Sequence, residues 1–318
     1  MLKRKAIRKI IITTFSIITI LIICIIPSGI NNDVNFLNPV VNTTYVDNSE
    51  TGDIYLLGSN NYLVKVSVLI SGKSVEEKVK EIIKYLTISN NTKIPNGLYA
   101  VIPESTKLNN VSISDKIVTL DFSSELLNVD EKLEERLIES IIYSIVNIDG
   151  VEGLYLKIDG KDLLKLPKTH KLLPSVLNRN YGINKVYEID SINNINKVIM
   201  YYINKIDEKK YYVPVTKYLN DENEKIRIII ENLSGNYIYD STLISFLNPN
   251  TELINYDIEN NTMKLNFNQE IFTDNKLLEE VIYPIAQSVF ENYNTVQSVL
   301  FEIEGEEKVN LDRNISVK

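Results

Sequence analysis

Apolar positions along the chain fall into two rhythms, one of period two and one of period three to four, that alternate in a fixed order. Ile54–Leu57 and Leu63–Ile70 are short apolar runs around Gly58-Ser59-Asn60-Asn61, the pattern of two strands and a turn. Val75, Val79, Ile82, Ile83 and Leu86 then share one helical face. Ser74 stands before that run with Glu77 three residues on, a pair whose side chains can satisfy the free amides of a first turn. Val111 and Ile113 alternate before Ser114-Asp115, and Val118, Leu120 and Phe122 alternate after it, which predicts a hairpin. A second helix is expected from about Glu131 to Ile148, with Leu133, Leu137, Ile141 and Ile145 in one stripe that Ile138 and Ile142 widen. Leu154–Ile158 closes the unit as a short strand ending at Gly160.

The same order then recurs. Residues 101–160 align without a gap to residues 246–305: Thr106 falls on Thr251, Leu120-Asp121-Phe122 on Leu265-Asn266-Phe267, Glu125 on Glu270, Glu134-Glu135 on Glu279-Glu280, and Gly160 on Gly305. Upstream the register slips by two, Leu86 landing on Leu233 and Ile82-Ile83 on Ile229-Ile230. The second unit opens with strands Val198–Ile203 and Tyr211–Tyr218, followed by a helix carrying Ile226, Ile229, Ile230 and Leu233. Tyr256 and Ile258 lead through Asn260-Asn261 to Met263, Leu265 and Phe267, since Asn tolerates the positive φ of a tight hairpin turn. The long helix carries Leu278, Val281, Ile282, Ile285 and Val289, and Pro284 within it predicts a kink or an early break. Val299–Ile303 ends at Gly305. Each unit reads ββ-α-ββ-α-β, an α+β fold with helices packed on a mostly antiparallel sheet. The connector, about Leu166 to Asn196, is long for a plain loop and is expected to pack in part between the domains.

The N-terminus differs in kind. Lys3, Arg4, Lys5, Arg8 and Lys9 precede Ile10–Ile26, which carries no charge. As a helix those residues span roughly 25 Å, the short end for crossing a hydrocarbon core of about 30 Å. The basic cluster places the N-terminus in the cytoplasm and the rest outside. A cleaved signal and lipidation at Cys24 are the alternatives to a retained anchor, and Ile23 is bulkier than the small residue expected before a lipidated cysteine. The expected organisation is a basic stub at 1–9, an anchor at 10–26, a tether at 27–50, a first domain at 51–165, a connector at 166–196 and a second domain at 197–312.

Composition narrows the chemistry. A hydrophobic content of 44% with 24% charged residues fits a folded protein. The net charge of −8 argues against a general nucleic-acid binder. One Cys and one His exclude a Cys/His zinc site and an internal disulfide. No Gly-rich phosphate loop supports nucleotide binding. His170, between Pro167 and Lys171, has no nucleophile motif and reads as a loop histidine. Asp121 with Glu125 could be a carboxylate pair of the kind that cleaves glycosides, but the repeat holds Asn266 with Glu270, which cannot do that acid–base work. Asp159-Gly160 and Glu304-Gly305 lack the spacing of a calcium loop and read as turns. Glu131, Glu134, Glu135 and Glu139 read as the wet face of the long helix. Of each pair Tyr201-Tyr202 and Tyr211-Tyr212, one tyrosine is expected in the core and one at the surface. No catalytic, cofactor-binding or metal-ligating residue is assigned.

Several segments together resemble a tandem pair of GerMN domains, the sporulation and spore-germination domain of Gram-positive bacteria. They are Tyr212-Val213-Pro214-Val215-Thr216, Ile102-Pro103-Glu104-Ser105-Thr106-Lys107-Leu108, Val118-Thr119-Leu120-Asp121-Phe122-Ser123-Ser124-Glu125 and Lys157-Ile158-Asp159-Gly160. The second unit departs at Asn248-Pro249 and Asn266, where the family pattern has Ile-Pro and Asp. The resemblance covers nearly all of residues 52–310. It implies a ring-building-like fold and a non-enzymatic envelope role in spore formation or germination, with envelope or sporulation proteins, or further copies of the chain, as partners. A peptidoglycan hydrolase, and a general envelope protein of a non-sporulating host, are the alternative readings.

Overall fold

The computed structural model describes residues 50–235, 242–274 and 276–313, which belong to one compact unit. The expected stub, anchor and nearly all of the tether, with Cys24, lie outside the described residues. No described helix is long and apolar enough to cross a membrane.

The first repeat opens with β1 (Glu50–Gly58) and β2 (Leu63–Ile70), an antiparallel hairpin joined at its turn end by β3 (Leu98–Tyr99). Helix α1 (Val75–Leu86) starts on the expected reciprocal cap: the Glu77 amide donates to Ser74 Oγ at 3.2 Å, and the Ser74 amide to Glu77 Oε2 at 3.3 Å. β4 (Leu108–Ser114) and β5 (Ile117–Phe122) form the second hairpin, α2 (Glu131–Ile145) follows, and β6 (Gly153–Ile158) and β7 (Lys161–Asp162) close the repeat. The connector contributes β8 (Val186–Glu188). The second repeat runs β9 (Ile195–Ile206), β10 (Lys209–Asn220), α3 (Lys225–Ser234), β11 (Leu243–Ile244), β12 (Leu253–Glu259), β13 (Thr262–Phe267), α4 (Glu279–Asn292), β14 (Ser298–Ile303) and β15 (Glu306–Asp312).

The α+β class and the tandem organisation hold, but each repeat has two sheets where one was expected. Their strand orders are β2-β1-β3 and β4-β5-β6-β7 in the first repeat, and β11-β9-β10-β8 and β12-β13-β14-β15 in the second. The β5–β6 and β13–β14 pairs are parallel because a helix carries the chain back between them. Gly160 and Gly305 do not end the repeats. With Asp159 (φ 48°) and Glu304 (φ 50°) they form positive-φ turns, which in two-residue hairpins match the strand twist, and the chain returns as β7 or β15. The turn expected at Ser114-Asp115 sits one residue on, at Asp115-Lys116, while Asn260-Asn261 is placed as read. Nor does Pro284 break α4. It removes one backbone bond, and Ser288 and Asn292 pin the following turns to β9.

Both faces of β9 are covered, so Tyr201 and Tyr202 are both buried, against the expectation of one in and one out. Tyr211 is buried and Tyr212 half-buried.

Candidate functional site

The polar chemistry of the described residues concentrates where the two repeats meet. β2 and β10 lie side by side without a ladder between them. On the far side of each hairpin a helix covers the open strand edge with hydroxyl and amide side chains. In the first repeat the Tyr55 amide donates to Ser144 Oγ (2.9 Å) and Ser140 Oγ donates to the Tyr55 carbonyl (2.6 Å). In the second the Tyr201 amide donates to Ser288 Oγ (2.9 Å), and Asn292 Nδ2 donates to the Ile199 carbonyl (2.6 Å). Edge amides that would otherwise invite another strand are thereby used. The serines also match Tyr55 of the first repeat to Tyr201 of the second.

Connector residues join the halves. Asn184 is fully buried: its Oδ1 accepts from the Leu63 amide (2.9 Å), and its Nδ2 donates to the carbonyls of Leu63 and Pro214, both at 2.8 Å. Leu63 opens β2 and Pro214 lies on the β10 edge, where a missing N–H costs no ladder bond. Arg179 pairs with Glu291 of α4 and also bonds Asn147 Oδ1 beyond the end of α2. Tyr201 Oη donates to the same Glu291 carboxylate at 3.2 Å, and Tyr143 Oη to the Arg179 carbonyl at 3.0 Å. Lys197 donates to the carbonyls of Asn180 (2.8 Å) and Arg179 (3.3 Å). Burial, with Lys225 and Lys185 nearby, lowers its pKa to about 8.

Of the acidic run on α2, Glu131 is exposed as expected and Glu135 half-buried, but the other two glutamates are not on a wet face. Glu134 and Glu139 are buried because the connector folds back over them. Glu134 accepts from the amides of Lys168 (2.9 Å) and Thr169 (2.7 Å), and Glu139 from the Asn184 amide (3.0 Å) and Arg136 (2.6 Å). Glu135 binds Lys171 and Lys185. The connector lysines Lys168, Lys171 and Lys185, opposite in sign to these glutamates, were the available signal.

The remaining candidates are spent locally. His170 is exposed on a positive-φ turn (57°). Asp121 Oδ1 accepts from the Gly160 amide at 2.9 Å, and Asn266 Oδ1 from the Gly305 amide at 3.0 Å, so acid and amide do one job in the two repeats. Glu125 is held below its ordinary pKa by the Ser123 hydroxyl, the wrong direction for a proton donor. Asp121→Asn should therefore leave stability within about 0.5 kcal/mol of wild type, whereas Asp121→Ala should cost about 1 kcal/mol. Chemical denaturation measures both. A loss for Asn as large as for Ala would deny the turn-capping role. Among the described residues no three His, Cys, Asp or Glu are grouped to hold a metal. A cleft of about 110 Å³ beside Glu50, Asp53 and Asn147 is well below the roughly 300–1,000 Å³ of small-molecule sites.

Asp53 and Lys65 pair at 2.8 Å across β1 and β2, and Ser67 Oγ donates to Asp53 at 2.7 Å. Burial pushes the Asp53 carboxyl up, but Lys65 and Ser67 outweigh it and hold the group below 3.8. Glu135 behaves alike: burial raises it, and Lys171 and Lys185 bring it below 4.5. Both contributions are complete above those ordinary values and are lost as the pH falls through the lowered ones. Burial raises Glu139 despite Arg136 and Lys185, so its contribution has the opposite sign and is lost as the pH rises above 4.5. Thermal midpoints should drop steeply below about pH 4. Asp53→Asn should shallow that slope, and an unchanged slope would remove the pair from the account.

Comparison with known proteins adds the following. The family model Germane, described as sporulation and spore germination, matches residues 39–164 and 199–309. Spore germination protein GerM of Bacillus subtilis (strain 168) is 27% identical over 267 residues, 81% of this chain and 72% of that protein. The solved structure of the tandem GerMN domains of the sporulation protein GerM from Bacillus subtilis superposes with a TM-score of 0.77 at 24% identity, covering 85% of this chain and 99% of that one.

Proposed function

The chain belongs to the Germane family of sporulation and spore germination proteins, and from that premise we propose that it is a non-catalytic assembly component of the cell envelope in spore formation or germination. The observation that carries the reading is the shared use of Asp121 and Asn266. The acid that could have served a hydrolase does in one repeat what an amide does in the other. The buried polar groups at the junction are likewise engaged in joining the repeats, which suits a body that presents surfaces to partners. Those partners are envelope or sporulation proteins, or further copies of the chain. Ile10–Ile26 anchors the chain with the repeats on the extracytoplasmic side, and Cys24 is one more small apolar group in that span.

Deletion of the gene in the source organism, with counts of heat-resistant spores and of spores that germinate, tests the reading. A deficit restored equally by wild type and Asp121→Asn is expected. Normal spores, or failure of Asp121→Asn to restore them while cell-wall zymograms clear only with wild type, would overturn it.

A further inference from the structure

We propose that Lys197 and Lys225 form a site for a carboxylate-bearing ligand, whose acid takes the place that Glu50 fills in the first repeat. The site is independent of the functional reading above. The matched tyrosines locate it. With Tyr55 set on Tyr201, Glu50 and Thr51 at the start of β1 correspond to Asn196 and Lys197 on β9. Two asparagines keep the same register: Asn147 donates to the Asp53 carbonyl at 3.5 Å, and Asn292 to the Ile199 carbonyl at 2.6 Å. The alignment that sets Ile82 on Ile229 and Leu86 on Leu233 sets Lys78 on Lys225. In the first repeat Lys78 of α1 pairs with Glu50, and both line the small cleft beside Asp53 and Asn147. In the second repeat the lysine is kept and the acid is not. Asn196 stands in place of Glu50, and a further cation, Lys197, stands in place of Thr51.

No described acid answers these two charges. Both lysines are half-buried and still reach solvent. Lys197 uses its amine on the carbonyls of Asn180 and Arg179, which leaves one of its three donors over. The Lys225 amine makes no described hydrogen bond or ion pair. The acids around them are engaged elsewhere. Glu291 holds Arg179 and Tyr201, and Glu224 pairs with Arg227 at 3.5 Å. Glu222 accepts from Asn194, and Asp221 from the Asn223 amide at 2.8 Å. The charge state of Lys197 agrees with this geometry: burial first, then Lys225 and Lys185, hold its amine down to about 8 against the pull of Glu291. Partly desolvated cations without a counter-ion favour an anion from outside, which would offset their cost. The first repeat indicates which anion, since a single carboxylate answers Lys78 there. The arginines at hand could not supply the forked donors that suit a phosphate. Arg179 is spent on Glu291 and Asn147, and Arg313 on the carbonyls of Phe290, Tyr293 and Val296. Two point charges remain, enough for one carboxylate.

The test uses the full chain in detergent at neutral pH. Sodium succinate should raise the melting temperature saturably, where sodium chloride of equal ionic strength does not. Lys197→Gln with Lys225→Gln should weaken the apparent affinity about tenfold or more. Lys78→Gln, at the equivalent place in the first repeat, should leave it unchanged. Asn196→Glu restores the acid of the first repeat and should abolish the response by filling the site from within. Hexaglutamate separates two sources of the carboxylate, and a saturable response to either compound supports the site. A stronger response to hexaglutamate assigns the carboxylate to an acidic peptide, and a stronger one to succinate assigns it to a small free acid. Shifts no larger than those of chloride with both compounds would overturn the proposal, as would a response that persists in the double lysine variant. Should that variant not fold, Asn196→Glu decides alone, and an undiminished response in it would overturn the proposal.

Discussion

Asn184→Ala lowers the unfolding free energy by about 3–5 kcal/mol, the largest loss expected from a single substitution at the junction. The side chain is completely buried and makes three hydrogen bonds, all to backbone groups, two on β2 and one on β10. Removing it strands the Leu63 amide and the carbonyls of Leu63 and Pro214 away from water, and a buried polar group left without a partner costs about 1–3 kcal/mol. Alanine also inherits the left-handed backbone (φ 49°), which asparagine tolerates and alanine resists by about 1–2 kcal/mol. Asn184→Gly should therefore be less damaging than Asn184→Ala by about that amount. Asn184→Asp should be at least as damaging, because its carboxylate would face two carbonyls and the nearby Glu139. Urea unfolding of the four chains gives the order. A loss below about 1 kcal/mol for alanine would mean that β2 and β10 hold together without the connector.

Arg179→Ala should cost about 2–3 kcal/mol, and the asymmetry with its partner is the informative part. The Glu291 side chain keeps only 11% of its exposure, whereas Arg179 keeps 35%. Losing the guanidinium leaves a nearly enclosed carboxylate with Tyr201 Oη as its remaining partner. Losing the carboxylate charge leaves a guanidinium that can turn to water. Glu291→Gln should thus cost less than Arg179→Ala, by about 1 kcal/mol or more. The double variant should lose less than the sum, since the two residues share one interaction. Equal single losses that add would mean that the pair does not act as a unit.

How far the fold could be read from the chain depended on what each signal measures. The cap at Ser74 and Glu77 and the turn at Asn260-Asn261 are local, set by side chains acting on their own backbone, and they were legible. The stripe on α2 was legible as well, because it reports an apolar face directly. Periodicity does not report whether a polar face will be covered. The stripe alone therefore leaves Glu134 and Glu139 on the polar face, although the connector folds over them. The two strands that follow Gly160 and Gly305 were missed for related reasons. β7 has two residues, and β15 carries Glu306, Glu307 and Lys308, so neither shows an apolar rhythm. Tyr202 was misjudged because alternation presumes one wet face, and β9 has none. The site itself, Asn184 between two backbones and Arg179 between two helices, rests on contacts distant in sequence, and no spacing rule points to them.

The central claim is that the two repeats are joined by buried polar groups into one body. Scanning calorimetry of the full chain in detergent at neutral pH tests it most directly. The account predicts a single transition whose van't Hoff and calorimetric enthalpies agree. It also predicts that Asn184→Ala moves the whole transition to lower temperature rather than half of it. Two resolved transitions in the wild-type protein, one for each repeat, would contradict it.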